Sequence, residues 1–386
     1  MLDPREFNGE RLKAARIYRG KTIAELADDI GVTKQSVSLY ENGKTKPSLE
    51  TLFKLISALG FPREYFYEED KKEIKTGATF FRALLTTNKK DRLSQEQKTK
   101  VLSQIYHVLN QYVDFPNLNI PLLPLQASDI EKVAQEVRNY WSLGMEPINN
   151  MVHLLEKNGF IVSAFQTDGN TIDAFSQRQE TNNDDFIFVV LGSNKNSAAR
   201  RQFDAAHELG HIILHDWFLD LELLTREEFR QLENEANQFA AAFLLPKDAF
   251  IRDLIYPNKL EFYVELKKKW KVSISAMIVR AYQLKVINYN QYQYLMRQIS
   301  KNGWRTKEPL DNILQVAKPT VLRRAIELLL SNGVLSGDML MQQLSNNNIS
   351  LHKSEVEMLL GLDEGTLNDS KSLPGVVLSI KNRPNQ

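Results

Sequence analysis

The chain has 386 residues, 42% of them hydrophobic and 25% charged, with a formal net charge of +1 and no cysteine. That size and composition describe a folded protein of two or three domains, and the charge balance excludes a polyelectrolyte that binds nucleic acid over its whole surface, leaving only a local patch. Lack of cysteine excludes disulfides and thiolate metal sites and fits a reducing, cytoplasmic setting; no apolar signal-peptide core follows Met1-Leu2-Asp3-Pro4-Arg5, and runs such as Phe186–Leu191 are too short to cross a bilayer.

Residues 7 to about 66 read as a block of short amphipathic helices. Thr22 caps a helix with Ile23, Leu26, Ala27 and Ile30 on its buried side, and Gly31 makes the turn. Thr33 caps the next helix, which carries Val37 and Tyr40 inward and Lys34, Gln35 and Ser38 outward, and Glu41-Asn42-Gly43 ends it. Two helices joined by a short glycine-containing turn are the helix-turn-helix arrangement. Lys34, Gln35 and Ser38 are residue types that read base edges from the first turns of a recognition helix. Arg11, Arg16, Lys21, Lys44 and Lys46 are the expected phosphate contacts. Residues 1–60 hold ten Lys/Arg against eight Asp/Glu, so the order of residues carries this expectation and the charge does not.

The charged stretch 68–76 reads as a linker, and 80–115 as mostly helical until Phe115-Pro116 and Pro121 to Pro124. Ser128, with Glu131 three residues on, predicts a helix start, and Pro147 predicts the first residue of a helix ending near Asn158-Gly159. Residues 160–165, 171–175 and 185–191 are short, β-branched or aromatic segments that predict a small sheet. Ser197–His215 reads as a helix, followed by helices to about residue 300 and again over 310–368, with turns at Asn332-Gly333 and Asn346-Asn347-Asn348; Pro374–Gln386 reads as loosely ordered. The fold class expected is mainly α with a small β-sheet (α+β). The division expected is 1–67 for the DNA reader, 68–127 for a helical linker region, 128–300 for a central catalytic domain and 301–386 for a C-terminal helical region.

His207-Glu208-Leu209-Gly210-His211 carries the chemistry. Histidines at i and i+4 share one helix face and can reach one cation. Glu208 between them can hold and deprotonate a water. Phe203, Leu209, Ile212 and Ile213 make this helix apolar, where a histidine pair without a metal or partner is costly. The motif does not fix a third ligand. Leu214 and Trp217 stand where a metzincin has its glycine and third histidine, so that pattern fails. His215 lies one turn past His211 and two past His207, and a straight helix cannot bring all three rings to one cation. It reads as a group behind the ligands, a substrate-facing group, or a cap on the helix dipole. That leaves Glu233 or Glu235. Glu233 shares a face with Asn237, so one can bind metal while the other orients a ligand histidine; Glu235 points elsewhere and is the fallback.

Two resemblances follow from these residues. Leu26-Ala27, Gly31-Val32, Ser36-Val37-Ser38 and Tyr40-Glu41-Asn42-Gly43 resemble the λ-repressor-like (XRE) helix-turn-helix family over residues 8–66. Ile23 departs from it, standing where many members carry a phosphate-binding Gln, which implies modest affinity. Arg200 to His215, Glu235 to Pro246 and Asp173-Ala174-Phe175-Ser176 resemble the ImmA/IrrE-type metallopeptidases from about 145 to 290. That likeness implies a zincin-like domain at 128–300, a gluzincin-like Zn2+ site with a downstream Glu matched by Glu233, and a role in inactivating repressors in mobile elements or stress responses. Residues from 310 onward resemble no family.

The expectation is a cytoplasmic transcriptional regulator carrying a zinc endopeptidase, with Zn2+ on His207, His211 and Glu233 and a fourth position open to water. Glu208 is the general base, His215 a candidate for the oxyanion site, and Phe186–Leu191 the strand that pairs with an extended substrate. The partners expected are a double-stranded DNA operator and a repressor or regulatory protein as substrate, with a homodimer allowed and no membrane. The competing reading is a DNA-binding repressor or antitoxin-like regulator whose metal domain senses or docks a partner without proteolysis. Glu208 favours catalysis, because a structural site needs no general base.

Overall fold

The computed structural model describes residues 6–69, 75–81, 88–121, 129–165, 174–180, 185–192, 197–216 and 223–368. Ser128, Thr171–Asp173, Trp217 and Pro374–Gln386 lie outside the described residues. In chain order the elements are α1 (Gly9–Tyr18), α2 (Ile23–Ile30), α3 (Lys34–Glu41), α4 (Leu49–Leu59), β1 (Lys75–Phe81), α5 (Lys89–Leu109), α6 (Ile130–Tyr140), α7 (Met151–Lys157), β2 (Ile161–Phe165), β3 (Ala174–Glu180), β4 (Asp185–Gly192), α8 (Ala198–Leu214), α9 (Arg226–Leu244), α10 (Lys247–Asp253), α11 (Leu260–Trp270), α12 (Ile274–Gln283), α13 (Tyr289–Lys301), α14 (Val321–Ser331), α15 (Gly337–Asn346) and α16 (Lys353–Leu360). The fold is mainly helical with one small sheet, as the sequence pattern predicts. Among the described residues no helix is long and apolar enough to cross a membrane.

These elements form two compact units that do not follow the linear order of the chain. The first takes Met1–Glu73, Asn88–Phe115 and Thr320–Gln386; the second takes Ile74–Thr87 and Pro116–Pro319. These units cut across the linear division expected at 67, 127 and 300. The C-terminal helices belong with the DNA reader, and part of the stretch read as a helical linker is a strand of the second unit.

In the first unit the helix-turn-helix signals act as written. Thr22 and Glu25 form a reciprocal capping box, Thr33 and Ser48 cap α3 and α4, and Gly31 closes α2 in the left-handed region at φ 69°. Leu12, Leu26, Val37 and Leu55 fill the centre. α5 lies along α1, and α15 and α16 lie against α5. The Tyr18 hydroxyl donates to Glu355 (2.5 Å), Arg19 pairs with the same carboxylate (2.7 Å), and Ser94 donates to the Tyr18 carbonyl (2.8 Å). Burial, then the Glu355 charge, pushes the Tyr18 phenol well above its ordinary pKa, which keeps it a donor.

The second unit is built on a four-stranded sheet in the order β1-β3-β4-β2. β2 runs parallel to β4, while β3 is antiparallel to both β4 and β1. α8 crosses β3 and β4 and carries α9 on its other side, with α6 against α9. Val189, Leu191, Leu209, Phe239, Phe243, Trp270 and Met277 lie in one continuous core. Two sequence expectations change here. The helix expected to begin at Pro147 begins at Met151, because the Asn150 side chain accepts the His153 N–H and sets the cap there. β4, expected to take an extended substrate, is paired on both sides and has no edge to offer.

The N-terminus of α8 is fixed by a buried polar cluster. Ser197 caps the helix and donates to Asp311 (3.0 Å). Lys267 Nζ, fully buried, donates to Asp311 (2.7 Å) and Glu308 (2.8 Å), and Glu308 accepts the first N–H groups of α12. Burial raises the Asp311 carboxyl, but the hydrogen bonds from Lys267 and the Glu308 N–H, with the lysine charge, outweigh it and hold the pKa below the ordinary value. Lys267→Met should therefore destabilise the protein by about 3–5 kcal/mol in denaturant unfolding, because two carboxylates lose their buried cation. A carboxyl held low adds stability that is present above its unfolded pKa and lost as pH falls through the folded one. The advantage of wild type over the variant should thus be full at neutral pH and shrink below the ordinary aspartate range.

Candidate metal centre and DNA-reading face

α8 and α9 cross closely because position 210 has no side chain. A Cβ there would lie 3.0 Å from the Ala236 carbonyl oxygen and 3.1 Å from its Cα. This approach brings α9 side chains onto the histidine face of α8. His207 Nε2 and His211 Nε2 stand 3.0 Å apart, with Glu233 oxygens 3.5 Å from the first and 3.2 Å from the second. One donor atom from each of the three side chains falls within a 4.8 Å span.

Hydrogen bonding fixes which ring nitrogens can donate lone pairs. His207 Nδ1 lies 3.1 Å from Asn237 Oδ1, which only accepts, so Nδ1 carries the proton and Nε2 is bare. His215 Nε2 lies 3.2 Å from Glu235 Oε2, so that nitrogen carries the proton and His215 Nδ1 accepts. It accepts from His211 Nδ1 at 2.9 Å, which leaves His211 Nε2 bare as well. Gln231 holds the far oxygen of Glu235 at 2.9 Å. Burial pushes the His215 pKa down to about 4 against the pull of Glu235, so its ring is neutral at pH 7, as this chain of bonds requires. Two bare nitrogens and a carboxylate that converge in a buried place repel one another unless a cation lies between them. The donor set fits a divalent metal of imidazole and carboxylate preference.

Glu208 is fully buried and accepts from Ser176 Oγ on β3 at 2.8 Å. Sequence reasoning attached no role to Ser176, since no spacing rule links a strand residue to a helix thirty residues later. His215 is placed differently from its expected catalytic position. Both of its nitrogens are engaged behind His211, on the side away from Nε2, so it orients a ring and faces no substrate. Glu235, the fallback ligand, holds His215.

On the DNA-reading face, Lys34 and Gln35 are exposed on α3 and Ser38 is half-buried beside them; Lys44 and Lys46 are exposed just after the helix, Lys46 paired with Glu6 at 3.1 Å. Arg11 and Arg16 are turned into the fold instead. Arg11 is buried, donates to the Asn348 carbonyl (3.0 Å) and lies over the Tyr65 ring. Arg16 grips Glu41 with two nitrogens and the Lys21 carbonyl with a third, tying α1 to the end of α3. Lys21 pairs with Asp29 (2.5 Å). The sequence shows the charge of these three residues but not the partners that the fold brings to them.

Residues 156–282 match the family model of the IrrE N-terminal-like domain, peptidase family M78, and residues 12–66 match that of the helix-turn-helix domain. The SPbeta prophage-derived HTH-type transcriptional regulator YonR of Bacillus subtilis is 42% identical over 57 residues, which are 15% of this chain and 53% of that protein. An HTH-type transcriptional regulatory protein of Pyrobaculum aerophilum is 28% identical over 110 residues, 28% of this chain and 37% of that protein. The chain thus spans about half, or less, of the length of these relatives. The crystal structure of Bacillus thuringiensis PlcR with the peptide PapR7 and DNA aligns over 90% of each chain at 15% identity, but its TM-score of 0.15 carries no fold assignment.

Gly210→Ala tests the helix crossing. The added methyl meets backbone, which cannot swing aside, so α8 and α9 must part. A loss of about 1–3 kcal/mol in thermal or denaturant unfolding is expected, together with weaker retention of added Zn2+ or Co2+ in equilibrium dialysis.

Proposed function

We propose that this chain, which joins a DNA-binding helix-turn-helix domain to an IrrE N-terminal-like domain of peptidase family M78, is a transcriptional regulator that cuts a regulatory partner protein with a zinc-dependent endopeptidase site. The single observation that carries this reading is the convergence of His207 Nε2, His211 Nε2 and Glu233 beside a buried Glu208 that no ligand role requires. His207, His211 and Glu233 would hold the Zn2+, which when bound polarises the scissile carbonyl and makes a water acidic. Asn237 and the His215–Glu235 pair keep the two ligand rings in the right tautomer. Glu208, which accepts a hydrogen bond from the Ser176 hydroxyl, takes the proton of the attacking water as the C–O bond forms. It then delivers that proton to the leaving amine as the C–N bond breaks, so atoms and charge balance.

Elemental analysis should find about one Zn2+ per chain. His207→Ala or His211→Ala should empty the site and Glu233→Ala should weaken it strongly. Asn237→Ala and Glu235→Gln should weaken it by about 10–100-fold. Full zinc in either histidine variant ends the assignment. Glu208→Gln should keep the metal and lower cleavage of the partner by ~10²-fold or more. If Glu208→Gln relieves repression in cells as well as wild type does, proteolysis is not the mechanism and the domain acts as a sensor.

We also propose that Lys34, Gln35 and Ser38 read bases, with Lys44 and Lys46 on phosphates. Lys34→Ala or Gln35→Ala in the full chain should cost ~1–3 kcal/mol of sequence-specific binding without changing metal content. Lys44→Ala should weaken binding to all sequences and flatten its salt dependence. Arg11→Ala should lower stability and leave the salt slope unchanged; an altered slope at constant stability would return Arg11 to the interface.

A further inference from the structure

β3 is the strand that carries Ser176, and through it the Glu208 carboxylate. Its inner side is paired to β4, so its outer edge is where an extended segment could add to the sheet beside the candidate centre. That edge is already taken. β1 runs antiparallel along it, with Phe80 opposite Ser176 and Phe81 opposite Phe175. Thr79 Oγ1 accepts from Gln177 Nε2 at 2.8 Å.

β1 is poorly built to stay. The ladder is irregular between Thr76 and Thr79, and the two residues at the break are Gly77 and Ala78, weak strand formers that leave the middle of a seven-residue edge strand without β-branched side chains. On both sides the chain leads straight into the DNA-reading unit, which ends its first segment at Glu73 and resumes at Asn88. A strand tethered at both ends, interrupted at its centre and lying on the edge beside the base is suited to being exchanged.

We propose that the outer edge of β3 is the docking surface for an extended segment of the partner protein, and that β1 is its resident occupant. Partner binding is then a strand exchange, in which β1 leaves the edge and a partner strand takes its register past Ser176. This rests on the peptidase reading for its biological meaning, but the exchange is a binding event that can be measured without cleavage.

The chain has no cysteine, so a clamp can be added cleanly. Lys75 and Glu180 are directly opposite, and Lys75→Cys with Glu180→Cys in the full chain places two thiols across the β1–β3 ladder, away from Ser176. The probe is a fluorescein-labelled synthetic peptide of residues 75–81, Lys-Thr-Gly-Ala-Thr-Phe-Phe, followed by anisotropy in the Glu208→Gln background. Oxidised protein should not bind it, and reduction should restore binding. Thr79→Pro with Phe80→Pro, which breaks β1 whichever N–H groups face β3, should tighten apparent binding about tenfold or more over the unclamped chain, since the open edge becomes the populated state. Hydrogen exchange of those 174–180 amides that bond β1 should be slow when clamped and fast in the proline variant, while those that bond β4 stay slow. Equal binding to clamped, reduced and proline forms overturns the proposal, as does binding to none. Peptide binding that follows the clamp in a protein that hydrolyses no partner keeps the exchange and removes the peptidase reading. Partner cleavage indifferent to the clamp does the reverse.

Discussion

The second unit depends on how closely α8 and α9 can approach. At Gly210 the two backbones meet almost directly, and every group of the candidate centre that is not on α8 or β3 comes from α9 within one turn or so of that contact. Glu233 reaches the gap between the histidines, Asn237 the back of His207, and Glu235 the back of His215. Residues 233 and 237 are one turn apart and serve the same ring system from above and behind; residue 235, on another side of α9, can only reach the third histidine. A single spacing between helices therefore sets a candidate ligand and the partners of two histidine rings together, and none can be adjusted alone.

Buried cations tie an end of each helix to its other neighbours. Arg138 donates to the Phe243 carbonyl in the last turn of α9 and to the Gly144 and Glu146 carbonyls, and Arg201 donates to the Gly192 carbonyl at the end of β4. Burial lowers both guanidiniums to about 10, which still leaves them protonated at neutral pH. Each guanidinium thus satisfies carbonyl oxygens at the end of a helix or strand, Arg138 with the Glu146 charge beside it.

The sequence was legible where a short-range rule applied. Helical periodicity alone puts His207 with His211 and Glu233 with Asn237, and capping residues announced α2 and α3. It was silent where partners come from far along the chain. Nothing near Arg11 or Arg16 reveals that Asn348 and Glu41 will meet them, so their charge suggested phosphate contacts. Nothing around Lys75–Phe81 marks a strand, because Gly77 and Ala78 interrupt it and it lacks the continuous β-branched and aromatic run that identified β2 and β4. His215 shows a subtler gap. Spacing says that it shares a face with His211, but not whether it meets the metal-facing nitrogen or the other one. That depends on Glu235, which spacing treats as a competitor for the metal.

The discontinuity of the first unit has a consequence for how the protein is made. α1 to α4 are translated before the second unit, yet Asn348, Ser350 and Glu355, which meet Arg11, Glu68 and Tyr18, are translated after it. Domains ordinarily fold as they emerge, N-terminal first; here the reader is begun first and finished last. During synthesis the helix-turn-helix helices exist for some two hundred and fifty residues of elongation without their C-terminal buttress, an interval read from the distance between Glu68 and Thr320. A chain that stops before Thr320 lacks that buttress altogether, so completion of the helix-turn-helix unit is coupled to synthesis of the helices that follow the second unit.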